Sequence, residues 1–184
     1  MFGVILVLLI VVAGIRVLVA YNRLVRLRNQ LRNGWSDIDV QLKRRHDLIP
    51  QLVEAVKGYA GYERGVMEAV TELRAQAVAT TSPAKLGSVE SNLDQALGKL
   101  FVLKEAYPEL KANQNYLALQ KDLVEVENNL QFARRFYNGA VRDYNTSVQR
   151  VPDALIASIF GFKEEEFFQA DATDRDVVNV NLAS

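Results

Sequence analysis

Phe2–Ile15 reads FGVILVLLIVVAGI, apolar or small throughout, and Arg16 is the only charge before Arg23. As one helix, residues 2–20 would be roughly 28 Å long, close to the thickness of a bilayer's hydrocarbon core. Beyond it the apolar positions step by threes and fours: Leu24, Leu27, Leu31, Trp35, Ile38, Leu42, His46, Ile49, Val53, Val56 and Ala60. That spacing belongs to a heptad-like helical seam and not to a strand of period two. The apolar segment therefore runs into a long helix without a linker, loosened by Gly58, Gly61 and Gly65. A single helix over 21–79 would span roughly 88 Å, so it must kink or project.

ATTSPAK, residues 79–85, predicts a break. A second helix follows, with Leu86, Val89, Leu93, Leu97, Leu100 and Leu103 along its seam. AYPEL interrupts it, with Pro108 suited to a first helical turn. The third long helix carries Leu119, Leu123, Val126, Leu130, Ala133, Tyr137, Ala140, Tyr144 and Val148. PDALIASIF forms a short fourth helix stopped by Gly161, and the tail VVNVNLAS has some strand character. The fold class is all-α: an N-terminal transmembrane helix continuing into an antiparallel four-helix bundle with long helices. The expected domains are an anchor at 1–20, the bundle at 21–168, and an extended or poorly ordered tail at 169–184.

Composition narrows the function. In 184 residues, 22 Lys and Arg balance 22 Asp and Glu, which argues against nucleic acid as a partner. With no cysteine, disulfides, thiol catalysis, zinc–thiolate sites and cysteine-linked lipid anchors are excluded. A cleaved signal peptide fits poorly, because no Lys or Arg precedes the apolar run and VLVAY is a weak cleavage site. Arg16, Arg23, Arg26, Arg28 and Arg32 follow the span before any acid. The positive-inside rule then places the N-terminus outside and the bundle in the cytoplasm. Arg16, Arg23 and Arg26 are candidate lipid-headgroup contacts.

The only histidine, His46, occupies a seam position, with Pro50 four residues on. Proline has no N–H, so the carbonyl of His46 loses its helical partner and calls for polar neighbours. Asp39 and Lys43 are favourably ordered helix neighbours, and Glu125, Glu127, Arg134 and Arg135 could supply partners from the third helix. The expectation is a structural polar layer of Trp35, Asp39, His46, Asp47, Arg134, Arg135, Tyr137 and Tyr144. A pH-sensitive contact at His46 and a hydrolase centred on His46 and Asp47 are the alternatives. A single histidine cannot build a bundle di-metal site or an HExxH site, and no nucleophile elbow is present. No metal, cofactor or catalytic residue is assigned.

RRFYNGAVRDYN, residues 134–145, mixes arginines with aromatics, but Tyr137 and Tyr144 fall on the seam and read as core. FGFKEEEFF, residues 160–168, reads as a flap sealing the bundle end. Its Phe160, Phe162, Phe167 and Phe168 also make it a candidate docking segment.

Three segments, YNRLVRLRNQLRNGWSDIDVQLKRRHDLIPQLVEAVKGYAGYE, NLQFARRFYNGAVRDYNTSVQ and VPDALIASIFGFKEEEFF, carry a family resemblance. The sequence resembles the LemA family of bacterial membrane proteins. The resemblance implies a single-pass N-terminal helix and a four-helix bundle, with no common catalytic activity, cofactor or substrate. Trp35, Asp37, Asp39, His46, Asp47, Pro50, Arg134, Arg135, Tyr137, Asn138, Tyr144 and Asn145 transfer only as family-typical positions. The function expected is a membrane-anchored, non-enzymatic scaffold that contacts lipid and forms ring-like or dome-like homo-oligomers. The alternative is an accessory subunit docking another membrane or cytoplasmic protein.

Overall fold

The computed structural model describes residues 1–59 and 63–168. They form six helices in the order α1 (Phe2–Lys57), α2 (Arg64–Ala79), α3 (Pro83–Ala106), α4 (Pro108–Ala112), α5 (Gln114–Gln149) and α6 (Asp153–Phe160). No strand occurs among the described residues. The tail expected at 169–184, with its strand character, lies outside them.

Helix α1 is continuous over 56 residues and passes through Pro50. It does not reach 79 as the periodicity suggested. Tyr59 closes a turn on the carbonyl of Val56 at 2.9 Å, and α2 starts afresh at Arg64. Gly58 marks the break; glycine costs about 1 kcal/mol against alanine in a helix interior. Residues 1–19 are exposed throughout, and by length and composition this start of α1 can cross a membrane.

The chain divides into two compact units. The first comprises Met1–Val40 and Leu130–Phe167. Within it α1 and α5 run antiparallel, since Trp35 meets Tyr137 while Arg28 and Arg32, earlier on α1, lie near Tyr144, later on α5. Leu24, Leu31 and Ile38 recur every heptad on α1, and Leu130, Tyr137 and Tyr144 do so on α5; all six are buried. The two helices close tightly at Gly34. A Cβ there would lie 3.0 Å from the Phe136 ring and 3.3 Å from the Cα of Tyr137. Helix α6 ends at Gly161, whose left-handed φ of 72° suits a residue without Cβ. The amide of Phe162 then closes on the carbonyl of Ala157 at 2.9 Å.

The second unit is Gln41–Asn129 with Phe168. Its core takes Ile49, Leu52 and Val56 from α1, Met67 and Val70 from α2, and Leu93, Leu97 and Leu100 from α3. Leu110 of α4 and Tyr116, Leu119 and Leu123 of α5 complete it. Each fully buried leucine contributes about 1.5–3 kcal/mol. Pro83 and Pro108 open α3 and α4, where a missing N–H has no consequence. Asn113 caps α5 by accepting the Tyr116 amide at 3.0 Å.

Candidate functional site: a buried ion cluster

In the second unit α1 buries two adjacent polar residues, Arg45 at 3% exposure and His46 at 7%. Opposite them stands Glu90 of α3, with no exposure at all. The Arg45 guanidinium pairs with Glu90 Oε2 at 3.0 Å and with Glu127 Oε2 of α5 at 3.2 Å, and bonds Asp94 Oδ1 on α3. His46 Nε2 lies 2.8 Å from the other Glu90 oxygen, within hydrogen-bond distance. Arg44 reaches Glu125 at the surface, 3.3 Å away.

A buried carboxylate is tolerable only when paired and hydrogen-bonded. Glu90 meets that condition, with one oxygen on Arg45 and the other on His46. The carbonyl of His46, deprived of a helical donor by Pro50, accepts from Arg74 Nε of α2 at 2.6 Å. Three helices, α2, α3 and α5, are thereby stitched to two consecutive residues of α1. Chemically the cluster is a closed electrostatic lock: a guanidinium already sits where a bound cation would sit among Glu90, Asp94 and Glu127. Among the described residues no group of three or more His, Cys, Asp or Glu is arranged to hold a metal ion. Only the outer carboxylates open to solvent, into a shallow cleft with Gly98, Phe101 and Val124 between α3 and α5.

Of the residues expected to form one polar layer, His46 lies in the second unit, and Trp35, Tyr137 and Tyr144 lie in the first. Asp39 and Asp47 are exposed, as adjacent helical positions dictate once Ile38 and His46 point inward. His46 is buried and Asp47 is exposed, so the two neighbours named for the hydrolase alternative occupy different faces of α1. Arg134 is half-buried, while Arg135 is exposed with its guanidinium 4.6 Å from the centre of the Phe132 ring. The expected partners for the His46 carbonyl gave way to Arg74. Arg45, Glu90, Asp94 and Arg74 escaped the sequence reasoning. Glu90 had a visible signal: Leu86, Glu90, Leu93, Leu97 and Leu100 alternate steps of four and three more regularly than the seam through Val89.

The first unit holds a second constellation. Trp35 and Tyr137 stack at 5.4 Å, and the Tyr137 hydroxyl donates to the Glu166 carbonyl at 2.9 Å. Burial, then the carboxylates of Glu165 and Glu166, push the Tyr137 phenol up to about 12. Burial likewise raises the Tyr144 phenol. The Asn145 amide brackets Glu165, donating to its carbonyl and accepting from its N–H, both at 2.9 Å. This strand-like pairing holds the extended segment 162–168 against α5. Phe162 and Phe168 are buried, while Phe160 and Phe167 stay exposed. Asp153 is buried, accepting from Ser147 at 3.0 Å and pairing with Arg23 at 3.4 Å. Arg16 and Arg26 are exposed. The Tyr21 ring lies 4.9 Å from Phe160 and 5.8 Å from Phe162, and Arg28 sits 5.9 Å above Phe162.

Residues 34–182 match the pattern of the LemA family. Protein LemA of Metamycoplasma hominis is 27% identical over 158 residues, covering 84% of this chain and 71% of that protein. Magnetosome protein MamQ 2 of Paramagnetospirillum magneticum is 26% identical over 192 aligned residues, covering 90% of this chain and 71% of that one. Magnetosome protein MamQ of Magnetospirillum gryphiswaldense is 23% identical with the same coverage. The family match takes in the whole ion cluster as well as α5 and α6, and the apolar start of α1 is consistent with a bacterial membrane. On that extent of match, this all-helical chain belongs to the LemA family.

Proposed function

We propose that this chain is a membrane-anchored helical scaffold without catalytic activity, self-associating beside the bacterial cytoplasmic membrane. One observation carries the proposal. The helix that begins with eighteen exposed, mostly apolar residues continues unbroken until Val56 enters the core of the second unit. Exposed apolar surface of that length needs lipid, and the same helix would hold the polar mass of the protein close to it. The basic run from Arg16 to Arg32 favours the cytoplasmic side, with Arg16 and Arg26 at the headgroups.

The ion cluster supports a scaffold over a catalyst. Its charges are closed on one another, an arrangement that fixes helix register and leaves no group positioned to attack a substrate. Self-association has a surface available: Phe132 and Phe136, one turn apart on α5, are 64% and 47% exposed. Copies confined to a membrane gain effective concentration, so weak contacts at such a patch suffice for assembly.

The test is the protein mass of full-length particles extracted gently into detergent or native nanodiscs, by light scattering or mass photometry. A discrete multiple of 20.7 kDa is expected. A monomer, or a stoichiometric complex with a different protein, would replace the scaffold with an accessory subunit.

A further inference from the structure

Helix α6 has two faces of opposite character. Asp153, Ile156 and Ala157 are buried, whereas Leu155 and Ile159 stand 64% and 74% exposed. These two lie at i and i+4 on the helix and share one apolar stripe. Among the described residues nothing covers that stripe. The carboxylate that could have spoiled it, on Asp153, is turned inward onto Ser147 and Arg23.

The location of the stripe identifies what covers it. The antiparallel course of α1 and α5 returns the chain to the start of the unit, where Tyr21 packs on Phe160 and Arg23 on Asp153. Residues 21–23 follow directly on the apolar span, within about 5 Å of its end at 1.5 Å per residue. Helix α6 therefore lies at the depth where the span leaves the bilayer. Arg150 and Lys163, both exposed, flank the stripe at either end and can meet anionic headgroups, while the exposed carboxylates of Glu164 and Glu166 follow beyond Lys163.

We propose that α6 is a second membrane contact: an interfacial helix laying Leu155 and Ile159 into the headgroup–acyl boundary of an anionic leaflet beside α1. An interfacial helix buries its apolar face about 5–10 Å deep. With the span it fixes the rotation of α1 about its own axis, which a lone span leaves free. This inference rests on residues 2–20 crossing the membrane, as proposed above.

The absence of cysteine makes the test direct. Single variants Leu155→Cys, Ile159→Cys, Val12→Cys and Val102→Cys carry a nitroxide on full-length protein. The protein is placed at one copy per nanodisc of phosphatidylcholine with a phosphatidylglycerol minority. Val12 reports the span, and Val102, 67% exposed on α3, reports water. The expected result is strong relaxation by oxygen and weak relaxation by a water-soluble nickel chelate at Leu155 and Ile159, shallower than Val12. Chelate access equal to Val102, with Val12 still in lipid, overturns the α6 proposal alone. Chelate access at Val12 as well overturns the anchor. Protection at Leu155 and Ile159 that appears only with several copies per disc assigns the stripe to a second chain and equally overturns the proposal. Removing phosphatidylglycerol should move both labels outward; unchanged depth overturns the role of Arg150 and Lys163.

Discussion

Arg74 donates through Nε to the main-chain oxygen of His46, supplying the hydrogen bond that Pro50 cannot make. The two residues belong to different helices, so a side chain of α2 repairs a gap in α1. Arg74→Leu should cost about 1–3 kcal/mol, the penalty of a buried carbonyl left unmet. Pro50→Ala restores a helical donor, so the double variant should lose markedly less than Arg74→Leu alone. Denaturant unfolding followed by helical circular dichroism measures the cycle, and strict additivity of the two changes would remove the repair role.

Arg45 and Glu90 should respond unequally to mutation. Arg45→Met strands a fully buried carboxylate with only His46 for company, and about 3–5 kcal/mol is the expected loss. Glu90→Gln keeps an acceptor for His46 and leaves Arg45 its contacts with Asp94 and Glu127, so about 1–2 kcal/mol is expected. Arg45→Lys should not rescue, because a point charge cannot reach three carboxylates as a guanidinium fork does. Equal losses from Arg45→Met and Glu90→Gln would show that the lock is not centred on the arginine.

Asn145 is the latch of the segment 162–168. Asn145→Ala removes both bonds to Glu165, and hydrogen exchange at the Glu165 amide should rise by at least tenfold. Asn145→Asp keeps the acceptor for that amide and loses the donor to the carbonyl, so its exchange should rise less. If exchange at Glu165 is unchanged in Asn145→Ala, the segment is held by Phe162 and Tyr137 instead.

Alkaline pH should loosen the first unit. The Tyr137 phenol ionises at about 12 in the folded chain and near 10 when unfolded, so the unfolded chain loses its proton first. Stability is therefore full below pH 10 and falls between about 10 and 12, by roughly 2–3 kcal/mol. Tyr144 is shifted in the same direction, also by burial. Tyr137→Phe should start less stable, through loss of the Glu166 bond, but show a flatter slope across that window. Unfolding followed by Trp35 fluorescence reads both, and an unchanged slope would clear Tyr137 of the effect.

Much of the backbone was legible because local chemistry wrote it. Pro108 at the start of α4, Gly161 at the end of α6 and the heptad of Tyr137 and Tyr144 follow from steric and periodic rules acting over a few residues. The end of α1 at Lys57 was not legible, since the apolar period ran on through Ala60 and glycines alone had to stop it. The site was harder. Its key acid, Glu90, stands 44 residues from His46 along the chain, and only the packed helices show that a charged side chain occupies a seam position. Val89 was the natural choice because apolar residues fill seams by default. Asn145 gave no local hint either, because its partner is the main chain of Glu165, which carries no residue-specific mark.

The first unit draws its two halves from opposite ends of the chain, with Arg23 and Asp153 standing 130 residues apart. Translation therefore imposes an order on assembly. At roughly 5–20 residues per second, α1 emerges about 10 s before its partners on α5 and α6 exist. During that interval its apolar start is free for the insertion machinery, and Leu24, Leu31 and Ile38 have nothing of their own chain to bind. The second unit, almost entirely one uninterrupted stretch, can close before the first is complete. A chain built this way offers its apolar start to its surroundings before its own fold is closed.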